Sequence, residues 1–226
     1  MCPMASIAKE LGVSIVTLKK LRIIRRDGKK SVSIQITNDD IEKVHNEVMN
    51  DPTYGRENKL ITDCLKEYPL NSDRKIVAMK IGLIDITNST NIGRYKSRIS
   101  VVELTNKIVG IKDFDCRVKD GDPNLVSELA DNPNINLFSF ASKYCCYHNC
   151  NVYEKDDYSI FDNVLMNNLK KYAPFLTPYK LNQWRIELKY KLYNDAIAEL
   201  LGESKITVDF KRRKFDHYVW YKNRKN

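Results

Sequence analysis

Residues 137–165 read LFSFASKYCCYHNCNVYEKDDYSIFDNVL. Phe138, Ala141, Tyr144 and Cys145 recur at intervals of three and four, the spacing of one helix face, so a helix from 137 with a buried apolar stripe is expected. Lys143 lies off that stripe, near the helix start, directly after Ser142. The helix should end around His148-Asn149, and a loop of charged and polar residues follows. Order should return at Tyr158-Ser159-Ile160-Phe161-Asp162, where an apolar pair precedes an acidic residue that opens the next helix.

The same helical period runs outward in both directions. Residues 57–68, 72–87, 100–109, 122–131, 162–173, 181–202 and 209–221 each space their apolar residues near 3.6. The expected fold is therefore mainly α, with short connections and no internal repeats. DPTYGREN, residues 51–58, carries Pro52 and Gly55 among polar residues and is the expected linker. Before it, residues 4–21 (MASIAKELGVSIVTLKKL) read as two short helices broken at Gly12, with Ala8 where they would cross and Ser14 as cap, a helix-turn-helix pattern. An ordinary helical hairpin fits the same residues. Residues 31–37 (SVSIQIT) alternate like a strand, and Asn38 or Asp39 can start a helix through Met49, which would make residues 1–50 a small winged module. Residues 59–226 would then be the helical domain.

Charge is segregated. Residues 1–35 and residues 205–226 each carry a net charge of +6, which leaves −3 for the rest of a chain whose total is +9. Two basic ends make local positive fields that attract a polyanion by counterion release, so double-stranded DNA is the expected partner; two solvated basic tails are the plainer account. No run of eighteen apolar residues occurs, and MCPMASIAKELGV has neither a basic n-region nor an apolar run. A soluble, intracellular chain, cytoplasmic and nucleoid-associated, with no membrane partner, is expected, and it should act as a monomer. Six unevenly placed cysteines agree with a reducing compartment. Cys145, Cys146, His148 and Cys150 do not converge like zinc ligands, since two are adjacent and no second pair lies at the usual distance; buried thiols are expected, with no metal and no cofactor.

Ser142-Lys143-Tyr144 and Phe161-Asp162-Asn163-Val164, 19 residues apart from Lys143 to Asp162, resemble the core signature of the helix-hairpin-helix DNA glycosylases, a lysine near a helix start followed by an aspartate in a short apolar context with a nearby valine. Ile84-Asp85-Ile86-Thr87-Asn88-Ser89-Thr90-Asn91 is similar to that family's early polar motif facing the DNA backbone. The resemblance spans roughly residues 57–226. It implies a glycosylase-like helical domain that is also a strand-cleaving lyase, with Lys143 as Schiff-base nucleophile and Asp162 as the carboxylate. It also implies backbone contacts from Asn88, Asn91 and Arg94. The family's glycine-rich hairpin is missing, because residues 136–142 contain no glycine. A tighter turn at Asn132-Pro133-Asn134, with Ser139 and Ser142 as substitute phosphate donors, would take its place.

The chemistry calls for these residue types. A carboxylate such as Asp162 stabilises positive charge developing on the sugar as a base leaves, and an amine such as Lys143 can attack the anomeric carbon. A flipped base needs an aromatic pocket, for which Phe138, Phe140, Tyr144 and Trp220 are the candidates, with Tyr218 and Tyr221 beside them. The run Lys211-Arg212-Arg213-Lys214-Phe215-Asp216-His217-Tyr218-Val219-Trp220-Tyr221 interleaves cations and aromatics, so Arg212 and Arg213 are expected to contact DNA while Phe215 and Val219 dock in the core and Trp220 faces the cleft. Asp162 also suits a simple N-cap, and Lys143 a surface lysine. A non-catalytic helix-turn-helix regulator, or an adaptor using a helical scaffold for protein contacts, is the competing reading.

Overall fold

The computed structural model describes residues 34–90, 92–95 and 97–223. The helix-turn-helix pattern at 4–21, most of the strand expected at 31–37 and Asn91 lie outside them. Among the described residues there are eleven α-helices, two 3₁₀ turns and no strand, which makes the fold mainly α. The helices are α1 (Asn38–Met49), α2 (Tyr54–Glu67), α3 (Arg74–Asn88), α4 (Val101–Gly110), α5 (Phe114–Lys119), α6 (Pro123–Ala130), α7 (Phe138–Tyr153), α8 (Asn163–Asn168), α9 (Pro178–Ile186), α10 (Tyr190–Glu203) and α11 (Lys211–Asn223). Gln35–Asn226 form one compact unit.

Local chemistry sets most boundaries. Thr37, Asp73, Ser100, Asp122, Asp162 and Thr177 each accept a backbone N–H at a helix start. Ser100 and Glu103 close a reciprocal capping box, while Pro123 and Pro178 sit in first turns, where a missing N–H costs nothing. Three boundaries depart from the periodicity. The stretch 181–202 is two helices: Leu188 adopts a left-handed backbone (φ 52°), and the Lys189 N–H donates to the Trp184 carbonyl across the break, a Schellman-type stop. Helix α5 was not foreseen, since only Phe114 and Val118 mark its buried side. Helix α7 continues four residues past Asn149, because the polar side chains that suggested an end are satisfied inside. Asn149 Nδ2 donates to the Val118 carbonyl (2.8 Å) and the Asp157 carboxylate (3.1 Å).

Helix α7 is the axis of the core, with α2, α3, α5 and α6 packed around it. It is buried nearly all round, Ser139 excepted, between Phe138 and Asn149. The expectation of a single buried stripe with Lys143 outside it is therefore corrected. Helix α11 packs against α1, α8 and α10. Because α1 lies against α11, residues 38–49 belong with the helical unit, and residues 51–58 contain the first turn of α2.

Candidate functional site

The site begins with helical spacing on α7. Ser139 and Lys143 are four residues apart and share a face, so both look onto one cavity of about 690 Å³. The turn before α7 is built without glycine. Asn132 Oδ1 accepts the Asn134 N–H (2.9 Å), and Asn136 Oδ1 accepts the Phe138 N–H (3.1 Å). Asparagine thus makes the tight turn expected at 132–134, since its amide can hydrogen-bond its own backbone two residues on.

Asp162 reaches Lys143 across the loop 154–161, and buried polar groups hold that loop. The Asp157 N–H donates to Asn149 Oδ1 (2.9 Å), the Ser159 N–H donates to the Tyr190 hydroxyl and Asn194 Oδ1 (2.8 Å each), and the Tyr193 hydroxyl donates to the Ile160 carbonyl (2.6 Å). Gly121 (φ 70°) allows the close approach, because a Cβ there would stand 2.6 Å from Asp157 Cβ. The last tether is Ser142, whose hydroxyl accepts the Phe161 N–H at 3.0 Å.

Asp162 then divides its two oxygens. Oδ1 accepts the N–H groups of Val164 (2.9 Å) and Leu165 (3.0 Å), capping α8, while Oδ2 pairs with Lys143 Nζ at 3.2 Å. Cap and ion pair coexist in one side chain. Lys143 is only 8% exposed, and its ammonium also donates to the Asn88 carbonyl at the end of α3 (3.3 Å). An ion pair this enclosed is strengthened by the low local polarisability, yet it retains an open side on the cavity.

The cavity wall opposite comes from α2, the α3–α4 loop and α11. Asp85 holds the loop, accepting from Thr90 Oγ1 (2.5 Å) and from the N–H groups of Ile92 (2.7 Å) and Gly93 (2.8 Å). Asn88 is fixed through its Oδ1 by the Tyr147 hydroxyl (2.6 Å). On α11, Trp220 stacks on Tyr54 (centroids 4.9 Å apart), and both line the cavity with Asp216. Asp216 accepts from Arg213 Nη1 (2.9 Å), and burial pushes its carboxyl up to about 6 against the pull of Arg213. Arg98 and Arg185 stand on the rim, and a second groove of about 330 Å³ follows the 131–136 turn from there.

Of the residues expected at the site, Lys143, Asp162, Asn88, Ser139, Phe140 and Trp220 line the cavity together. Others do not. Phe138 is fully buried between Phe161 and Tyr190, and Tyr144 donates its hydroxyl to Asn71 in the core (2.7 Å). Ser142 is buried and bound to Phe161, which removes it as a phosphate donor and makes it a tether. Arg213 is buried too: its guanidinium reaches Asp216 and the hydroxyls of Tyr54 and Tyr147, so it cannot face DNA. Arg212 is partly buried and donates to Asp156, through its N–H to the carboxylate and through Nη1 to the carbonyl. Arg94 is exposed in the 3₁₀ turn Gly93–Tyr95, away from the cavity lining. Tyr218 packs on Tyr172.

Tyr54, Phe161, Asp216, Arg98 and Arg185 line the cavity without having been singled out for it. Asp216 had a signal, since it lies four residues before Trp220 and thus on the same helical face. Tyr54 had none, because it stood in an apparent linker. Among the described residues, no helix is long and apolar enough to cross a membrane.

A family model described as HI_0787_N, an N-terminal domain, matches residues 37–156. That span includes the helix bearing Lys143 and stops short of Asp162. An uncharacterized protein of Haemophilus influenzae (strain ATCC 51907 / DSM 11121 / KW20 / Rd) is 31% identical over 137 residues, covering 56% of this chain and 59% of its own length. The chain thus spans about three fifths of the length of that relative. No solved structure matches.

Proposed function

The chain belongs to the HI_0787_N family, and we propose that it is a DNA glycosylase with lyase activity, which takes a damaged or modified base from double-stranded DNA into the 690 Å³ cavity and excises it there. The observation that carries the reading is the Lys143–Asp162 pair, 3.2 Å apart, on the wall of a cavity that also holds a stacked Tyr54–Trp220 surface. An amine, a carboxylate and an aromatic wall around one space are what base extrusion and excision require.

The steps follow from the two side chains. Lys143 gives its proton to Asp162, the nearest acceptor, and the free amine attacks C1′ of the sugar as the N-glycosidic bond breaks; Asp162 passes that proton on to the departing base and, ionised again, stabilises the positive charge that grows on the sugar. Ring opening yields an iminium between Lys143 and C1′, loss of a C2′ proton breaks the C3′–O bond, and water releases the lysine. The pair's low exposure favours this chemistry, because bulk water competes poorly for the sugar. Arg98 and Arg185 on the rim and the 131–136 groove suit the phosphate backbone.

The test is borohydride trapping on a duplex with a single abasic site. The wild-type chain should give a covalent adduct, and Lys143→Gln should give none while keeping its thermal unfolding midpoint within a few degrees. No adduct from the wild type, or an equal adduct from Lys143→Gln, would remove Lys143 from the chemistry. Tight, sequence-selective binding by residues 1–50 with no adduct would instead favour a helix-turn-helix regulator.

A further inference from the structure

Asp216 is 6% exposed, yet it lines the cavity. Its Oδ2 accepts from Arg213 Nη1, and among the described residues its Oδ1 has no hydrogen-bond partner. Arg213 cannot turn to cover that oxygen. Its Nη2 is committed to the Tyr54 hydroxyl (3.2 Å), Asn58 Oδ1 (3.1 Å) and the Tyr147 hydroxyl (3.0 Å), and its guanidinium lies 4.5 Å over the Tyr147 ring. Nearby acceptors on the wall are already occupied: both oxygens of Asp162 and the Oδ1 of Asn88 have donors. Solvent in the cavity can reach that oxygen, so a ligand that displaces solvent there must supply a donor in its place.

The neighbourhood says what kind of ligand. Trp220 lies one helical turn on from Asp216 and stacks on Tyr54, so a flat π-surface and an acceptor adjoin on one face of α11. An ionised carboxylate accepts hydrogen bonds and offers none.

Resting on the glycosylase reading, we propose that Asp216 reads the edge of the extruded base: its open oxygen accepts a hydrogen bond from a ring N–H. The cavity then takes bases that bear an N–H donor on that edge and rejects those that present only an acceptor or a methyl group.

The experiment uses the full chain and duplexes with a single hypoxanthine, uracil or 8-oxoguanine, each beside a counterpart whose Watson–Crick ring N–H is methylated. The wild type should release at least one N–H base, and its methylated counterpart at least about tenfold more slowly, as expected where a site built around a hydrogen bond loses the donor. In Asp216→Asn, Arg213 still requires an acceptor, so the amide oxygen turns to it and the NH₂ group faces the cavity. Release of the N–H base should then fall by at least about tenfold, and the difference between the paired substrates should vanish. Equal release of each base and its methylated counterpart by the wild type, or release of none of the three, overturns the proposal. If Asp216→Asn does not fold, the wild-type comparison decides alone. Trapping at a preformed abasic site, which contains no base to read, separates the two claims: its absence in the wild type breaks the glycosylase reading, and its presence with indifferent base release breaks only the role of Asp216.

Discussion

Among the described residues of the helical unit two lysines are buried, and they are used differently. Lys80, on α3, is fully buried, and its three donor directions are all taken: the Leu70 carbonyl (2.9 Å), Asn71 Oδ1 (3.2 Å) and His148 Nε2 (3.3 Å). Its acceptors are neutral, and the nearest carboxylate, Asp115, acts through Asn71. His148 closes this set, with its Nδ1 against the Tyr144 carbonyl, so that Nδ1 carries the proton and Nε2 accepts. Lys143 has one carboxylate, one carbonyl and an open side. Burial of a lysine is thus no sign of chemistry by itself. What separates the two is whether a donor direction remains pointed at space that a ligand can enter.

The contrast can be broken at either end. Asp162→Asn leaves an amide oxygen to cap α8 but removes the charge beside Lys143. Base release should slow by about a hundredfold with the unfolding midpoint little changed, as single-turnover kinetics and thermal melts would register. A loss of only a few-fold would shift the charge-stabilising role elsewhere on the wall. At Lys80 the outcome should reverse. Lys80→Met strands the Leu70 carbonyl and His148 Nε2 without a donor, while Asn71 Oδ1 keeps the Tyr144 hydroxyl, and should cost about 2 kcal/mol of stability in denaturant titration, while adduct formation per folded molecule persists. A fully stable Lys80→Met protein with lost trapping would merge the two lysines into one site.

Smaller effects sharpen the picture. Ser142→Ala removes the acceptor for the buried Phe161 N–H and should cost about 1 kcal/mol. Burial lowers Lys80 to about 8 in the folded protein, against 10.5 in its absence. Between those values the unfolded chain binds the extra proton, so this lysine's contribution makes stability rise as pH climbs from about 8 towards 10. Comparing wild type with Lys80→Met isolates it: the difference between their midpoints should change over that window, and a constant difference would contradict the burial account.

How much of this the sequence made legible depends on how local each feature is. The Lys143–Asp162 relation was readable, since both residues sit at helix starts joined by one loop. The loop's anchors were not: Asn194, Tyr190 and Tyr193 come from a helix some thirty residues further on, and nothing in 154–161 announces them. Burial was misjudged where a side chain carries its own satisfaction inward. Arg213 looked like a DNA contact because its neighbours are cations, and it is instead the centre of a buried set with Asp216, Tyr54 and Tyr147. Phe138 and Tyr144 looked like pocket residues because they are aromatic, but α7 is enclosed on nearly every side, so most of its aromatics face other helices. The break at Leu188 was hidden for another reason: the apolar period continues through it, and the stop lies in one backbone angle.

The divided duty of Asp162 bears on how such a protein can change over generations. A substitution to alanine would remove the helix cap and the charge in one step, so losing the proposed reaction that way also endangers the fold. Asparagine is the exit that keeps the cap and gives up only the charge. Among relatives of this chain, the residue aligned with position 162 should therefore sort lineages: aspartate where the chemistry is under selection, asparagine where the scaffold has outlived it.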